Sequence, residues 1–366
     1  MVFKKGSKIL IMESGSYKVI GGAAKDTAEM YIALRKDGYD VDILGAHHKI
    51  YPNIKNITIE EALKKSYDFI WLNSIRDVII ASKYLGMHSV KPKVIYTDRG
   101  NVLLNISSAS FKIMLPKNLA RYYLFMKMQK WLDYYVAISY NQYEYAKKYF
   151  KNDKTKIVYI LIAPRPEYFF QETKKDYHGA LAVSRLDERQ KRLSFMIKGV
   201  AEVVRSHPEL QGKPILKIVG EGRDAENYKS LAAKLGVSSN IRFLGFQDSK
   251  QLLHLYNNAG FFVSTSEWEG LSRTFLEAMA CRLPLLINDR INTTIRSNPE
   301  VKLVKDGYNG FVYRYKDLAD FSQKFYKLYS DTKLQDRMGA ANLKFRKQFS
   351  FENIVKNYEK IFAIKA

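Results

Sequence analysis

Apolar residues along this chain gather in short unbroken runs, each closed by Gly, Ser, Asp or Arg and most followed by a stretch of helical spacing. Runs of that kind suit strands buried on both faces, and their alternation with helices predicts parallel sheets. The first run, Lys8–Met12, passes through Gly15 and Gly21-Gly22 into a helical pattern over 23–37, which Gly38 stops before a strand over 39–44. Strand 68–72, helix 78–85 and strand 93–97 repeat the unit. Strand 135–139, helix 141–150 and strand 157–162 complete a first sheet, and Ala163-Pro164-Arg165-Pro166 reads as a linker stiffened by its two prolines. The alternation then restarts with strand 179–184, strand 216–219 running into Gly220-Glu221-Gly222, and a helix to residue 235. Strand 241–244, helix 249–257 and strand 260–264 follow. The tail from Phe351 carries Ile354, Val355, Tyr358, Ile361 and Phe362 at helical spacing.

The stretch 264–289, STSEWEGLSRTFLEAMACRLPLLIND, organises the second half. It reads as a strand end, a turn with Glu267, Glu269 and Gly270, a helix over 273–281 stopped ahead of Pro284, and a strand over 283–287. Glu277 sits on that helix among Phe275, Leu276, Ala278, Met279 and Ala280, where a carboxylate must find a partner or carry a large desolvation cost. Two partners suit it. Thr274 and Glu277 have the spacing of a capping box, which would satisfy backbone N–H groups; a bound ligand is the other.

The string Glu269-Gly270-Leu271-Ser272-Arg273-Thr274-Phe275-Leu276-Glu277-Ala278-Met279-Ala280-Cys281-Arg282-Leu283-Pro284 closely resembles the donor-site signature of retaining GT-B glycosyltransferases of family 4 (glycosyltransferase group 1). The resemblance implies α/β architecture, with two doubly wound Rossmann-like domains facing across a cleft. Residues 1–165 would bind the acceptor, 166–348 the nucleotide sugar, and 349–366 would form a helix returning to the first domain. It further implies that Glu277 accepts hydrogen bonds from ribose hydroxyls and that Glu269 orients a sugar hydroxyl. Amides of Gly270, Leu271 and Ser272 would cradle charge on the leaving diphosphate. Gly22 would let the backbone approach that diphosphate, and Gly245 and Phe246 would hold the base. Arg185 and Lys191 in SRLDERQKR resemble the family's diphosphate-gripping pair. An arginine fork and a mobile lysine charge suit phosphate, each charge-assisted hydrogen bond contributing roughly 1.5–3 kcal/mol.

The chain departs from the family at three places. Arg99, after Asp98, stands at a strand's carboxyl end where many relatives carry a histidine that contacts the sugar. Asp98 reads either as an acceptor-side base or as the partner of Arg99. The linker lacks the usual Asn-Gly-Val-Asp, and NDRINTTIRSNPE replaces a common Gly-Gly-x-x-Glu segment, so sugar identity does not carry over.

Charge enlarges the picture. Lys and Arg exceed Asp and Glu by 60 to 37, giving +23. Residues 1–170 carry 27 basic against 15 acidic residues, so the excess is no tail. Such a field favours anionic partners: nucleotide-sugar phosphates, anionic lipid or nucleic acid. From Arg99 to Lys130 there is no acid, and Lys112, Lys117, Arg121, Lys127 and Lys130 interleave with Phe, Leu, Met, Tyr and Trp. That segment suits an anionic membrane or an acceptor, a core-facing helix with a solvated basic face, or single-stranded nucleic acid. In the family resembled, a basic N-terminal patch often docks on lipid.

Forty-six per cent hydrophobic and 27% charged residues describe an ordinary globular chain. One cysteine excludes an intramolecular disulfide, and no apolar run reaches membrane-spanning length. The N-terminal run is too short for a signal peptide, which points to a cytoplasmic protein, peripheral on the inner face of a membrane if the basic patch docks. Six histidines and the Asp40–Asp42 pair show no metal-ligand pattern, so no metal and no cofactor is expected. The expected reaction moves a hexose from a UDP- or GDP-sugar to a hydroxyl of a glycan or lipid-linked acceptor, with retention. The rival classes are a basic nucleic-acid-binding protein or DNA-acceptor transferase on the same fold, an epimerase or phosphorylase, and a fold without catalysis. No helix-turn-helix, RNA-recognition or zinc-finger pattern supports a nucleic-acid reader.

Overall fold

The computed structural model describes residues 6–13, 22–45, 54, 56–99, 116–150, 154–160, 170–171, 177–269, 272–292, 302–346 and 351–362. The chain divides into two compact units, Met1–Leu161 with Glu352–Ala366, and Ile162–Phe351.

The first unit contains β1 (Lys8–Met12), α1 (Gly22–Lys36), β2 (Asp40–Leu44), α2 (Ile59–Lys64), β3 (Phe69–Leu72), α3 (Asp77–Met87), β4 (Lys93–Thr97), α4 (Pro116–Gln129), β5 (Tyr134–Ala137), α5 (Tyr140–Tyr149) and β6 (Lys156–Tyr159). Its six strands are all parallel, in the order β2-β1-β3-β4-β5-β6. Gly38 ends α1 at φ 91°, and the amides of Gly38 and Tyr39 return to the carbonyls of Arg35 and Leu34, the left-handed stop that glycine adopts without strain. Helix α2, which hydrophobic spacing did not reveal, opens with a complete capping box between Thr58 and Glu61.

The second unit contains β7 (Ala180–Val183), α6 (Glu188–Lys191), α7 (Leu193–Ser206), β8 (Leu216–Val219), α8 (Ala225–Lys234), β9 (Ile241–Phe243), α9 (Ser249–Asn258), β10 (Phe261–Val263), α10 (Arg273–Ala280), β11 (Leu285–Asn288), β12 (Gly310–Tyr313), α11 (Leu318–Ser330) and α12 (Thr332–Arg346). Its strands are likewise all parallel, in the order β12-β11-β10-β7-β8-β9. The strand sequence reverses between β1 and β3 in one sheet and between β7 and β10 in the other. Open α/β sheets gather ligands outside the carboxyl ends of strands at such reversals.

Each sheet is covered on both faces. Leu10, Met12, Ile70, Leu72 and Tyr96 of the first sheet join one core cluster with Phe125 and Met128 of α4. The other face meets the last helix, α13 (Phe351–Phe362), whose Tyr358 ring lies 4.3 Å from that of Trp71 and whose Phe362 ring lies 5.1 Å from that of Phe69. Trp71 Nε1 donates to Thr97 Oγ1 at 2.8 Å, and the Thr97 and Tyr358 hydroxyls are 3.1 Å apart. Ile354, Val355, Tyr358, Ile361 and Phe362 are all buried, so the helical spacing of the tail marks the face that seals this sheet.

Tyr358→Ala should therefore cost about 3 kcal/mol or more, the range for deleting a buried aromatic ring, read as a lower urea midpoint. A loss under about 1 kcal/mol would mean that α13 is held by other contacts.

Candidate functional site

The reversal between β7 and β10 sets two loops of the second unit side by side, 184–192 and 264–269. The first is pressed onto the turn after β8. Ser184 N–H donates to Val219 O, and Leu186 N–H to Glu221 O. A Cβ on Gly220, whose φ is 128°, would fall 1.9 Å from Ser184 O, and one on Gly222 would fall 2.2 Å from Leu186 O. Only glycine admits that approach. The Gly-Glu-Gly sequence thus seats the loop that carries Arg185 and Lys191, and the following helix begins later, at Ala225.

The second loop is clasped to the first. The Thr265 hydroxyl lies 2.9 Å from Lys191 O and 3.0 Å from Arg192 O. Glu267 N–H donates to Gln190 O at 2.7 Å, and the Gln190 side-chain amide donates to Trp268 O at 3.3 Å. Arg185, exposed at the strand end, donates to Gln190 Oε1 at 2.9 Å. From the neighbouring strand Asn288 donates to Ser266 O at 3.0 Å, and the Tyr313 hydroxyl to Ser264 O at 3.3 Å.

Held this way, the Lys191 ammonium meets Glu269 Oε1, which also accepts from the Ser266 hydroxyl at 2.8 Å. The two charged side chains are 14% and 10% exposed, sheltered yet reachable. Beside them Glu267 gathers Arg192 at 3.1 Å, Arg290 at 2.8 Å and the Tyr315 hydroxyl. Burial pushes the Glu267 carboxyl up, but the Tyr315 hydroxyl and the two guanidinium groups outweigh it and hold the group below its ordinary range. Arg192 takes a left-handed backbone, φ 50°, to turn between α6 and α7.

Glu277, 1% exposed, accepts from the Tyr256 hydroxyl at 3.2 Å and lies beside Arg273, whose guanidinium burial pulls down to about 10 against the opposing pull of Glu277. The capping-box reading of this glutamate fails because α10 starts at Arg273 with Ser272 as N-cap, which puts Thr274 inside the helix. Ser272 Oγ and Thr274 Oγ1 are instead 3.0 Å apart. Gly270 and Leu271 lie outside the described residues. Gly245, at φ 65°, accepts from Gly220 N–H at 2.8 Å, and Phe246 next to it is 70% exposed, so both belong to this edge of the sheet.

In the first unit Asp98 and Arg99 do share a strand end, with different partners. Asp98 is fully buried; its Oδ2 accepts from the Tyr135 hydroxyl at 2.7 Å, and its backbone carbonyl from Gln142 at 2.8 Å. Arg99 Nε donates to Asn73 Oδ1 at 2.9 Å, which turns it toward the reversal between β1 and β3. Gly22 is the first residue of α1. On α4, Leu119, Tyr122, Tyr123 and Met126 form an exposed stripe at spacings of three and four, while Phe125 and Met128 are buried. Lys127 and Lys130 are exposed; so is Arg121, which stands near enough to Tyr96 to affect its hydroxyl. Lys112 and the side chain of Lys117 lie outside the described residues. No helix among those residues is long and apolar enough to cross a membrane, and no group of three or more His, Cys, Asp or Glu stands together as metal ligands.

Sequence reading missed Glu267 as a hub, along with Gln190, Arg192, Thr265, Tyr256 and Asn288. None carries a local motif, and each acts through a partner far along the chain.

Residues 164–345 match the family model for glycosyl transferases group 1, and this segment belongs to that family. The lipopolysaccharide core biosynthesis glycosyltransferase LpsE of Rhizobium meliloti (strain 1021) is 28% identical over 169 residues, 46% of this chain and 47% of that one. The chain spans about half the length of several of the curated relatives it matches. Among solved structures, sucrose-phosphate synthase from Thermosynechococcus elongatus superposes with a TM-score of 0.76 at 15% identity, covering 97% of this chain and 98% of that one. HepE of Anabaena in complex with UDP-glucose gives 0.74 at 16% identity, covering 98% of this chain and all of that one. The fold is that of GT-B glycosyltransferases.

Glu267→Gln tests the hub. A carboxyl held below its unfolded value of 4.5 stabilises the fold above that pH and loses the contribution as pH falls through the folded value. The wild type should be more stable than the variant at neutral pH, with the difference closing as the pH drops below 4.5. A difference that stays constant down to pH about 3 would remove Glu267 from the charge network.

Proposed function

We propose that this protein is a retaining glycosyltransferase that moves a hexose from a UDP- or GDP-sugar to a hydroxyl of a glycan or lipid-linked acceptor, in the cytoplasm and without metal or cofactor. The observation that carries the reading is the Lys191–Glu269 pair at the strand reversal of the second sheet, with Arg185 tied to the same loop through Gln190. Family membership of this segment, the HepE structure holding UDP-glucose, and the naming of LpsE for lipopolysaccharide core biosynthesis all support it.

Each residue has a role in that reading. A lysine ammonium has three donors, so Lys191 can keep Glu269 while giving a hydrogen bond to the donor's leaving phosphate. Arg185 supplies the planar fork for the diphosphate. Glu269, fixed by Lys191 and Ser266, presents its carboxylate to a sugar hydroxyl. Glu277 takes the ribose hydroxyls, which would replace the Tyr256 hydroxyl as its partner. Ser272, with Gly270 and Leu271, offers amides at the start of α10 to charge developing on the diphosphate. Gly245 and Phe246 border the base, and Gly22 is the glycine that would let the backbone approach the diphosphate. Arg99, steered by Asn73, is the first unit's group for the sugar or acceptor, and Asp98 fixes that strand end through Tyr135. No covalent nucleophile is assigned.

The acceptor side of the reading includes an anionic membrane. The stripe Leu119, Tyr122, Tyr123 and Met126 can enter the headgroup boundary while Lys127 and Lys130 face anionic lipid.

Calorimetric titration with UDP, GDP and ADP and their glucose, mannose and N-acetylglucosamine forms should give micromolar binding to a UDP- or GDP-compound. Glu277→Ala should weaken that binding at least about tenfold, whereas Lys191→Ala should chiefly slow turnover. Wild-type affinity in the first variant and wild-type rate in the second would contradict both assignments. In a separate assay, liposomes containing anionic lipid should pellet the protein and neutral ones should not. Tyr123→Glu with Met126→Glu should abolish pelleting, and pelleting that survives would place the membrane contact elsewhere.

A further inference from the structure

Of the three tryptophans in the chain, Trp71 is fully buried and Trp131 half-buried, whereas Trp268 is 45% exposed. A ring of that size left in water forgoes much of the stabilisation that burial brings. The backbone beneath it is nevertheless held at several points. Trp268 O accepts from the Gln190 side-chain amide at 3.3 Å, and the N–H of the preceding Glu267 donates to Gln190 O at 2.7 Å. The Glu267 carboxylate is gripped by Arg192, Arg290 and the Tyr315 hydroxyl, and that of the following Glu269 by Lys191 and Ser266. Among the described residues no hydrogen bond, cation or second ring engages the indole itself. The loop therefore presents an aromatic surface whose backbone is already ordered, which lowers the entropy that a ligand must offset on binding.

The order of the strands decides which part of a ligand meets that surface. Across the second sheet from β9 through β8 and β7 to β10, the loops at the carboxyl edge carry Phe246, then Arg185 and Lys191, then Trp268 and Glu269. Three strand intervals of about 4.8 Å separate the first of these loops from the last, roughly 14 Å in all, on the scale of a nucleoside diphosphate. With the diphosphate on Arg185 and Lys191 and the base toward Phe246, the sugar falls beside the loop after β10. There Glu269 is a partner for hydroxyl groups and the adjoining indole an apolar one. A pyranose offers both, hydroxyl groups around its rim and a face of C–H groups. Laying that face on the indole removes apolar area of both from water.

We propose that the Trp268 indole is the platform on which the apolar face of the donor's pyranose ring lies. This subsite rests on the transferase reading above and adds to it the group that recognises the sugar as a ring rather than as a set of hydroxyls. Glu269 fixes the ring's rotation through a hydroxyl, and the indole fixes its plane.

Titration calorimetry on the full chain tests it, with UDP, GDP, UDP-glucose, UDP-galactose and GDP-mannose as probes. Trp268→Ala should melt with the wild type and keep its affinity for the bare nucleotide. The sugar nucleotide that the wild type binds best should bind this variant at least about fivefold more weakly. Trp268→Tyr, which keeps a ring at that position, should recover most of the loss. Trp71 is buried, so wild-type fluorescence that disappears in Trp268→Phe reports on the exposed indole. The sugar nucleotide should shield that signal from acrylamide, and the bare nucleotide should shield it less. Equal loss of nucleotide and sugar nucleotide in Trp268→Ala, or equal shielding by both, would set the indole against the base or the phosphates and overturn the subsite. So would unchanged affinity for both, which would leave the transferase reading standing without it. Absence of binding to every probe would overturn the donor reading itself, and the subsite with it.

Discussion

The loops after β7 and β10 carry the candidate chemistry, yet neither could hold it alone. What fixes them is a short set of neutral hydrogen bonds across the strand reversal: Thr265 to the carbonyls of Lys191 and Arg192, Glu267 N–H to Gln190 O, and Gln190 to Trp268 O. Each contributes only about 1 kcal/mol net, but together they define where Lys191 and Glu269 can stand. The sheltered ion pair is a poor source of stability in itself, because desolvation offsets much of its attraction. Its value lies in position. The hydroxyl and the amides do the holding, and the charges are left to meet a ligand.

That division of labour reaches backward into the glycines. Gly220 and Gly222 let the β8 turn lie against Ser184 and Leu186, without which Arg185 and Lys191 would start from a different height above the sheet. In the first unit the equivalent strand end is organised by burial. Asp98 is fully buried, with Tyr135 donating to its carboxylate and Gln142 to its carbonyl, while the half-buried Arg99 donates to Asn73. Adjacent in sequence, the two side chains are thus held by different elements, Asp98 by Tyr135 of β5 and Arg99 by Asn73 after β3.

Much of the architecture was legible in the chain because parallel strands announce themselves as unbroken apolar runs, and these runs mark every strand but β12 to within about three residues. The helix α13 was legible in five apolar residues at helical spacing, and its return to the first unit was what the family resemblance implied. The site was only half legible. Glu269 and Glu277 stand out by their setting, but their partners Lys191 and Tyr256 are 78 and 21 residues away. Glu267 looks like any turn glutamate until Arg192, Arg290 and Tyr315 converge on it. The start of α10 at Arg273, one residue before Thr274, decides against the capping box, and such one-residue boundaries are the feature that spacing determines least well. Helices α2, α6, α7, α11 and α12 went unread: α2 is marked by its Thr58–Glu61 capping box, whereas α7 and α11 bury apolar faces at helical spacing that the chain did display.

The net charge of +23 is spread over the whole chain, and around the carboxyl edge of the second sheet its meaning depends on which partners the cations already have. Around the carboxyl edge Lys191, Arg192 and Arg290 each face Glu267 or Glu269, while Arg185 donates to Gln190 Oε1, so each of these cations is already positioned by a partner within the fold. An ion pair held in this way is set by geometry as well as by charge, which the net charge alone could not have revealed.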